Sequence, residues 1–309
     1  MSGAAPKMGL KKANCHSDGV WSVGWSGSEL LITGSLDGSL RLWNSRNIDK
    51  PLSSTTKNRV GVTSIATTRD GQSVVACYQD AKIRKFNLEK NEDGVQALNE
   101  EGVIINPGMM EAYSICLSPG DDVVAAGTQT GKVNIWSMEN NENVLTLDTK
   151  SKFVLSTKFS SNEDSPQLAA SSVDGAVCVF DISTSSVIHK VAAHSLPVRS
   201  VSFSPNGRLV YSASDDRHVS VYDCNSNKIV GNFSHGGMAL SVDVSSDSRH
   251  FAVGSSDHAV TFWDMGMQRS IQTYKSHSDQ VWGVAFDQTS EDGKRFVSVG
   301  DDSVLQLYE

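Results

Sequence analysis

The sequence predicts an all-β fold, a seven-bladed β-propeller closed by pairing of an N-terminal strand into the C-terminal blade. Three observations predict it. Residues 194–223 hold three alternating apolar runs, 198–203, 209–213 and 219–222. Ser204-Pro205-Asn206-Gly207 and Asp215-Asp216 separate them as turn signals. A step of seven residues, from turn to closing residue, then recurs: Asp37 to Asn44, Asp80 to Asn87, Thr130 to Ser137, Asp174 to Asp181, Asp216 to Asp223, Asp257 to Asp264 and Asp302 to Glu309. An aromatic precedes each endpoint, and the endpoints lie 41 to 50 positions apart. One such unit leaves both sheet faces uncovered, so the copies must stack around an axis.

Taken in order, residues 1–7 read as a disordered lead, and 8–309 as one propeller domain. Six units are followed by a run suited to an outermost strand, near 52–56, 95–98, 144–147, 187–191, 229–233 and 271–274. The seventh has none, so residues 9–13 are expected to supply it and cover an open edge. Unit two lacks an opening His and has Phe86 where unit one has Trp43. The polar stretch 89–108 reads as a disordered or variable loop. Unit four carries an insertion at 162–166, and unit seven an extended hairpin at 288–293.

Composition narrows the classes of function. The net charge of -8 argues against general affinity for a phosphate backbone, and so against direct nucleic-acid binding. The local basic group Lys82, Arg84 and Lys85 reads as a solvated outer strand. Apolar runs are too short for a membrane span, and residues 1–10 lack the apolar core of a secretory signal. Five scattered cysteines without a Cys-x-x-Cys pair suggest reduced thiols in cytosol or nucleus. No cofactor or metal is expected.

A His opens four units in register: His16, His194, His235 and His277. With the terminal aromatic–acid pair, this is the WD-repeat signature. In WD-repeat families such side chains make a buried hydrogen-bonded tetrad, so the resemblance implies one from His16, Thr33, Asp37 and Trp43. Its counterparts are His194, Ser212 and Asp216 in unit five and His277, Ser298 and Asp302 in unit seven. A hydrolase uses the same residue types, but it needs one nucleophile, and no Gly-x-Ser-x-Gly elbow is present.

WD-repeat geometry also predicts a partner-binding face at the mouth of the central channel. One position per unit lies five residues past the His: Trp21, Thr63, Tyr113, Leu155, Arg199, Leu240 and Trp282. A second lies two residues earlier and includes Glu111, Phe153 and Met238. A third precedes the turn acid and includes Leu36, Asp215 and Asp301. The core positions are filled by Val20, Val23, Val281 and Val284, so the tryptophans should alternate outward. An exposed aromatic cluster beside carboxylates suits a peptide carrying an apolar residue and an Arg.

The chain resembles the WD-repeat proteins of the superkiller complex, whose animal members are also counted with the Paf transcription-elongation complex. The resemblance rests on Ile32-Thr33-Gly34-Ser35-Leu36-Asp37, Gly131-Lys132-Val133-Asn134-Ile135, the stretch 147–156, Pro197-Val198-Arg199-Ser200, Gln280-Val281-Trp282-Gly283-Val284 and Val297-Ser298-Val299-Gly300-Asp301-Asp302. It runs from about residue 16 onward and departs in unit two and at 89–108. It implies a non-enzymatic scaffold, monomeric outside its complexes, that joins a tetratricopeptide scaffold and an RNA helicase. Such an assembly feeds messenger RNA to the exosome for 3′-to-5′ decay in the cytoplasm. In animals the same subunit also serves the nuclear Paf complex on RNA polymerase II. An alternative is a substrate receptor of a cullin ubiquitin ligase, for which Trp43-Asn44-Ser45-Arg46 half-matches the adaptor-binding pattern.

Overall fold

In a computed structural model that describes residues 4–55, 58–90, 96–108, 112–290 and 292–309, the repeats form seven four-stranded antiparallel sheets. The sheets follow the chain in order. Blade five is representative: Val198–Phe203, Leu209–Ser214, His218–Asp223 and Lys228–Ser234 run from innermost to outermost strand. The third and fourth strands extend slightly past the apolar runs seen in the sequence. Second strands are the most buried because neighbouring blades cover both of their faces; Val210, Tyr211 and Ala213 are almost wholly enclosed. The core is therefore a ring of inter-blade clusters.

Blade seven completes itself with Met8–Lys12, which pairs antiparallel with Leu305–Tyr308. A bulge between Met8 and Lys11 takes Gly9 and Leu10 out of the regular ladder. The buried carboxamide of Gln306 donates to both of their carbonyls, at 3.3 and 3.2 Å. The expected disordered lead is narrowed here. Lys7 and Glu309 exchange two backbone hydrogen bonds, and Tyr274 donates its hydroxyl to the Pro6 carbonyl. Arg295 adds a tie between blades seven and one. It reaches Asp287 and Glu309, donates to the Ser28 carbonyl and Ser45 Oγ, and lies 4.8 Å over Trp25.

Blade two corrects the sequence reading. The stretch 89–108 is mostly a long hairpin, Ile83–Lys90 against Gln96–Ile105. Leu98 and Ile105 are buried, which offsets the ordering cost of a segment whose composition looks like a loop. Asn91-Glu92-Asp93-Gly94 lies outside the described residues, as do Thr56 and Val95. The basic group sits on the third strand or the turn before it, not on a solvated outer one. Lys85 pairs with Glu101 at 2.9 Å, Arg84 lies near Asp80 and Glu100, and Lys82 lies near Asp80. The cluster is thus locally neutralised.

Candidate functional site: the channel mouth

The inner strands converge on one cavity of about 180 Å³ lined by all seven predicted positions: Trp21, Thr63, Tyr113, Leu155, Arg199, Leu240 and Trp282. The way these side chains reach the cavity differs from simple alternation. In six blades the inner strand carries a β-bulge, and the extra residue is Trp21, Thr63, Leu155, Arg199, Leu240 or Trp282. A bulge re-aims one side chain out of the pleat. Here it places that side chain at the channel while the flanking valines stay in the core; Val20 and Val281 are fully buried. The second and third predicted positions meet through the backbone in each of these blades. Examples are Leu36 N to Gly19 O at 2.9 Å, Val173 N to Phe153 O at 2.9 Å and Asp215 N to Pro197 O at 3.0 Å. Glu111 lies outside the described residues.

The mouth is more pre-organised than an exposed aromatic cluster. Trp21 and Trp282 are half-buried with ring centroids 5.2 Å apart. Both indole N–H groups donate to Asp301, at 3.1 Å to Oδ1 and 2.8 Å to Oδ2. Across the ring, Tyr113 packs edge-on to Phe153 at 4.9 Å. Arg199 clasps Asp215 through Nε at 2.9 Å and Nη2 at 2.7 Å, and this hydrogen bonding raises the guanidinium pKa further. Two expectations change. Asp215 and Asp301 are not vacant carboxylates, because Arg199 and the two indoles already engage them. Leu155 and Leu240 are buried in the channel wall, whereas Met238 is 38% exposed. The face pairs a rigid aromatic–acid side in blades seven and one with Tyr113, Phe153 and Met238 in blades three, four and six, the Arg199–Asp215 pair of blade five lying between the last two. Rigid, half-buried aromatics lose little side-chain freedom on binding.

Sequence reasoning missed what holds this ring. Ser22, Ser64, Ser114, Ser156, Ser200 and Ser241 each follow a mouth residue. Ser22, Ser64, Ser156 and Ser200 accept a backbone N–H from the next blade, from Ile65, Ile115, Val201 and Val242 at 3.0 to 3.3 Å. Ser114 Oγ meets Thr157 Oγ1 at 3.5 Å. The signal was in the sequence, as a serine at one register position in six of seven units. The series ends at Ser241, which has no partner among the described residues, and at Gly283.

The predicted structural networks lie inside the blades. In blade one, His16 Nδ1 faces Asp37 at 3.3 Å and Nε2 lies 2.7 Å from Thr33 Oγ1, which also accepts from Trp43 at 2.9 Å. This fits a neutral imidazole that donates to Asp37 and accepts from Thr33. Burial alone would raise the Asp37 pKa, but hydrogen bonds from His16, Ser39 and Ser17 hold it far below the usual carboxylate range. His194 repeats the pattern with Asp216 at 3.0 Å and Ser212 at 2.8 Å. Burial pushes the His194 pKa down. The terminal aromatic of blade five does not join, because the Tyr222 hydroxyl bonds Asn227. His277 joins Asp302 at 3.0 Å and Ser298 at 2.7 Å, and Tyr308 completes the set at 3.0 Å from Ser298. The hydroxyl residues Thr33, Ser212 and Ser298 are all buried.

A closed ring of seven blades, tied internally by His–hydroxyl–Asp networks and open at one aromatic mouth, defines a β-propeller of the WD type. The WD domain, G-beta repeat model matches residues 10–44, 185–223, 227–264 and 268–309, covering the four units that open with His. The chain belongs to the WD-repeat family. It is 32% identical over 307 residues to WD repeat-containing protein SL1-17 of Schistosoma mansoni, covering 95% of this chain and 96% of that one. It is 33% identical over 225 residues to WD repeat-containing protein VIP3 of Arabidopsis thaliana, covering 66% of this chain and 67% of that protein. It is 27% identical over 212 residues to meiotic recombination protein rec14 of Schizosaccharomyces pombe, covering 68% and 67%.

Proposed function

We propose that this chain is a non-enzymatic protein-interaction scaffold, a subunit of a superkiller-type complex that supports exosome-mediated 3′-to-5′ decay of messenger RNA in the cytoplasm. Its partners in this reading are a tetratricopeptide scaffold and an RNA helicase. A second placement, in the Paf complex during RNA polymerase II elongation, would add a nuclear pool. The observation that carries the scaffold role is the mouth itself: Trp21 and Trp282 are fixed by Asp301, and Met238 of the adjoining blade six is exposed. End-to-end similarity to a WD repeat-containing protein supports the class. The stretches 147–156 and 280–284 support the particular complex, because generic WD repeats share the turns but not these segments.

The test is affinity purification with mass spectrometry from native lysate, comparing wild type with a Trp21→Ala/Trp282→Ala variant whose folding is checked by melting. Wild type is expected to capture a helicase and a tetratricopeptide protein. The variant should lose at least one of them, since a central Trp contributes about 2 kcal/mol or more at a binding hot spot. Retention of both partners by the variant overturns the mouth as the binding face. Capture of a cullin adaptor in their place overturns the complex.

A further inference from the structure

Three serines in the chain precede a proline: Ser118, Ser165 and Ser204. Two of them are parts of hairpin turns. Ser204 is fully buried, donates to Asn206 Oδ1 at 2.7 Å and accepts from Leu209 N at 2.9 Å. Ser118 is buried, donates to Asp122 at 2.5 Å and accepts from Val123 N at 3.1 Å. Neither hydroxyl is reachable without opening its turn.

Ser165 differs. It lies in the insertion of blade four, between Val154–Phe159 and Gln167–Ser172. Residues 161–165 are all exposed, and the Ser165 hydroxyl makes no hydrogen bond among the described residues. The loop has a closed neck. Ser160 N donates to Gln167 O at 2.8 Å, and Gln167 N donates to Ser160 Oγ at 2.9 Å. A segment pinched at its base can be drawn into an enzyme cleft while the blade stays folded.

We propose that Ser165 is a phosphorylation site for a proline-directed serine/threonine protein kinase. In the transfer, Ser165 Oγ attacks the γ-phosphorus of ATP. An Oγ–P bond forms as the bond from that phosphorus to the bridging oxygen of the leaving ADP breaks, and the hydroxyl proton passes to the kinase's base. The product adds about −1.5 to −2 charges at neutral pH. Arg69 already reaches Glu163 of the same loop and is placed to share its guanidinium with the new phosphate. The loop joins the ends of its two strands opposite Phe153 and Val173, so the modification acts on the face away from the mouth.

The test incubates the purified full chain with a purified proline-directed kinase and ATP, then reads intact mass and phosphopeptides. One phosphate per chain at Ser165 is expected. Ser165→Ala and Pro166→Ala should each cut incorporation at least tenfold with unchanged melting curves. The proposal is overturned if the wild type stays unmodified while a control Ser-Pro peptide is fully converted. It is equally overturned if the phosphate maps to Ser118 or Ser204, or if Ser165→Ala incorporates as much as wild type.

Discussion

Blades six and seven differ at the buried position between the His and the terminal aromatic, and the difference shows what the internal network contributes. In blade seven, Ser298 sits between His277 and Tyr308 and satisfies both, while Asp302 takes the other His277 nitrogen. In blade six, Val253 occupies the register position of Ser298. His235 Nε2 and Trp263 Nε1 are then both buried with no partner among the described residues. Asp257 turns to Ser255. Blade six is held instead by aromatic packing: Trp263 stacks against Phe251 and meets Phe233 and His235 edge-on. Packing can thus stand in for the polar tie, but it leaves two orphaned donor or acceptor groups, each costing about 1–3 kcal/mol of desolvation.

The largest expected effect concerns pH. Burial pushes the His235 pKa down to about 4, with Asp257 only partly opposing it. The unfolded chain takes up this proton near pH 6.5 while the folded one does not. Stability from this residue is therefore fully present above about 6.5 and lost as pH falls toward about 4, by on the order of 3 kcal/mol. Denaturant melts of wild type and His235→Phe across this window should show a flatter pH dependence for the variant. Equal slopes would show that His235 finds a proton acceptor or solvent. Asp302 offers the contrast. Burial acts to raise its pKa, but the hydrogen bond and charge of His277 together with the Ser278 and Val304 backbone N–H groups lower it, so its contribution fades as pH falls from the ordinary carboxylate range toward the lowered pKa.

A smaller effect, about 2 kcal/mol of lost stability, is expected for Ser298→Ala, which strips the shared hydroxyl from His277 and Tyr308. Urea unfolding at neutral pH measures it, and a loss under 0.5 kcal/mol would show that the network adds little to packing. The smallest effect is a gain. Val253→Thr keeps the shape and offers a hydroxyl that can accept from Trp263 and donate to His235, as Thr33 does between Trp43 and His16. Stabilisation of about 1 kcal/mol is expected. Destabilisation in the same assay would mean that the orphaned groups are already hydrated.

The same contrast bears on how far the sequence could be read. A Val four residues before the turn acid was visible at position 253, yet His, Asp and Trp around it made unit six look regular. Networks in units one, five and seven were legible because their residue types recur at fixed spacing. The blade-two hairpin was not, because Asn, Glu and Gly dominate 89–102 and the apolar anchors Leu98 and Ile105 are too sparse for a period-two signal.

Repetition let the sequence by itself determine the number of blades and the place of most strands, the long outer hairpin of blade two excepted, and WD-repeat geometry added which residue of each unit faces the channel. A repeat reports its own register, and each blade uses the same local hydrogen bonds. Tertiary structure decided everything that joins one blade to another: the capture of Asp301 by two tryptophans from different blades, the serine ties along the channel and the seating of 4–12 against blade seven. These contacts link residues far apart in the chain, and their partners are fixed only once ring closure brings the blades side by side.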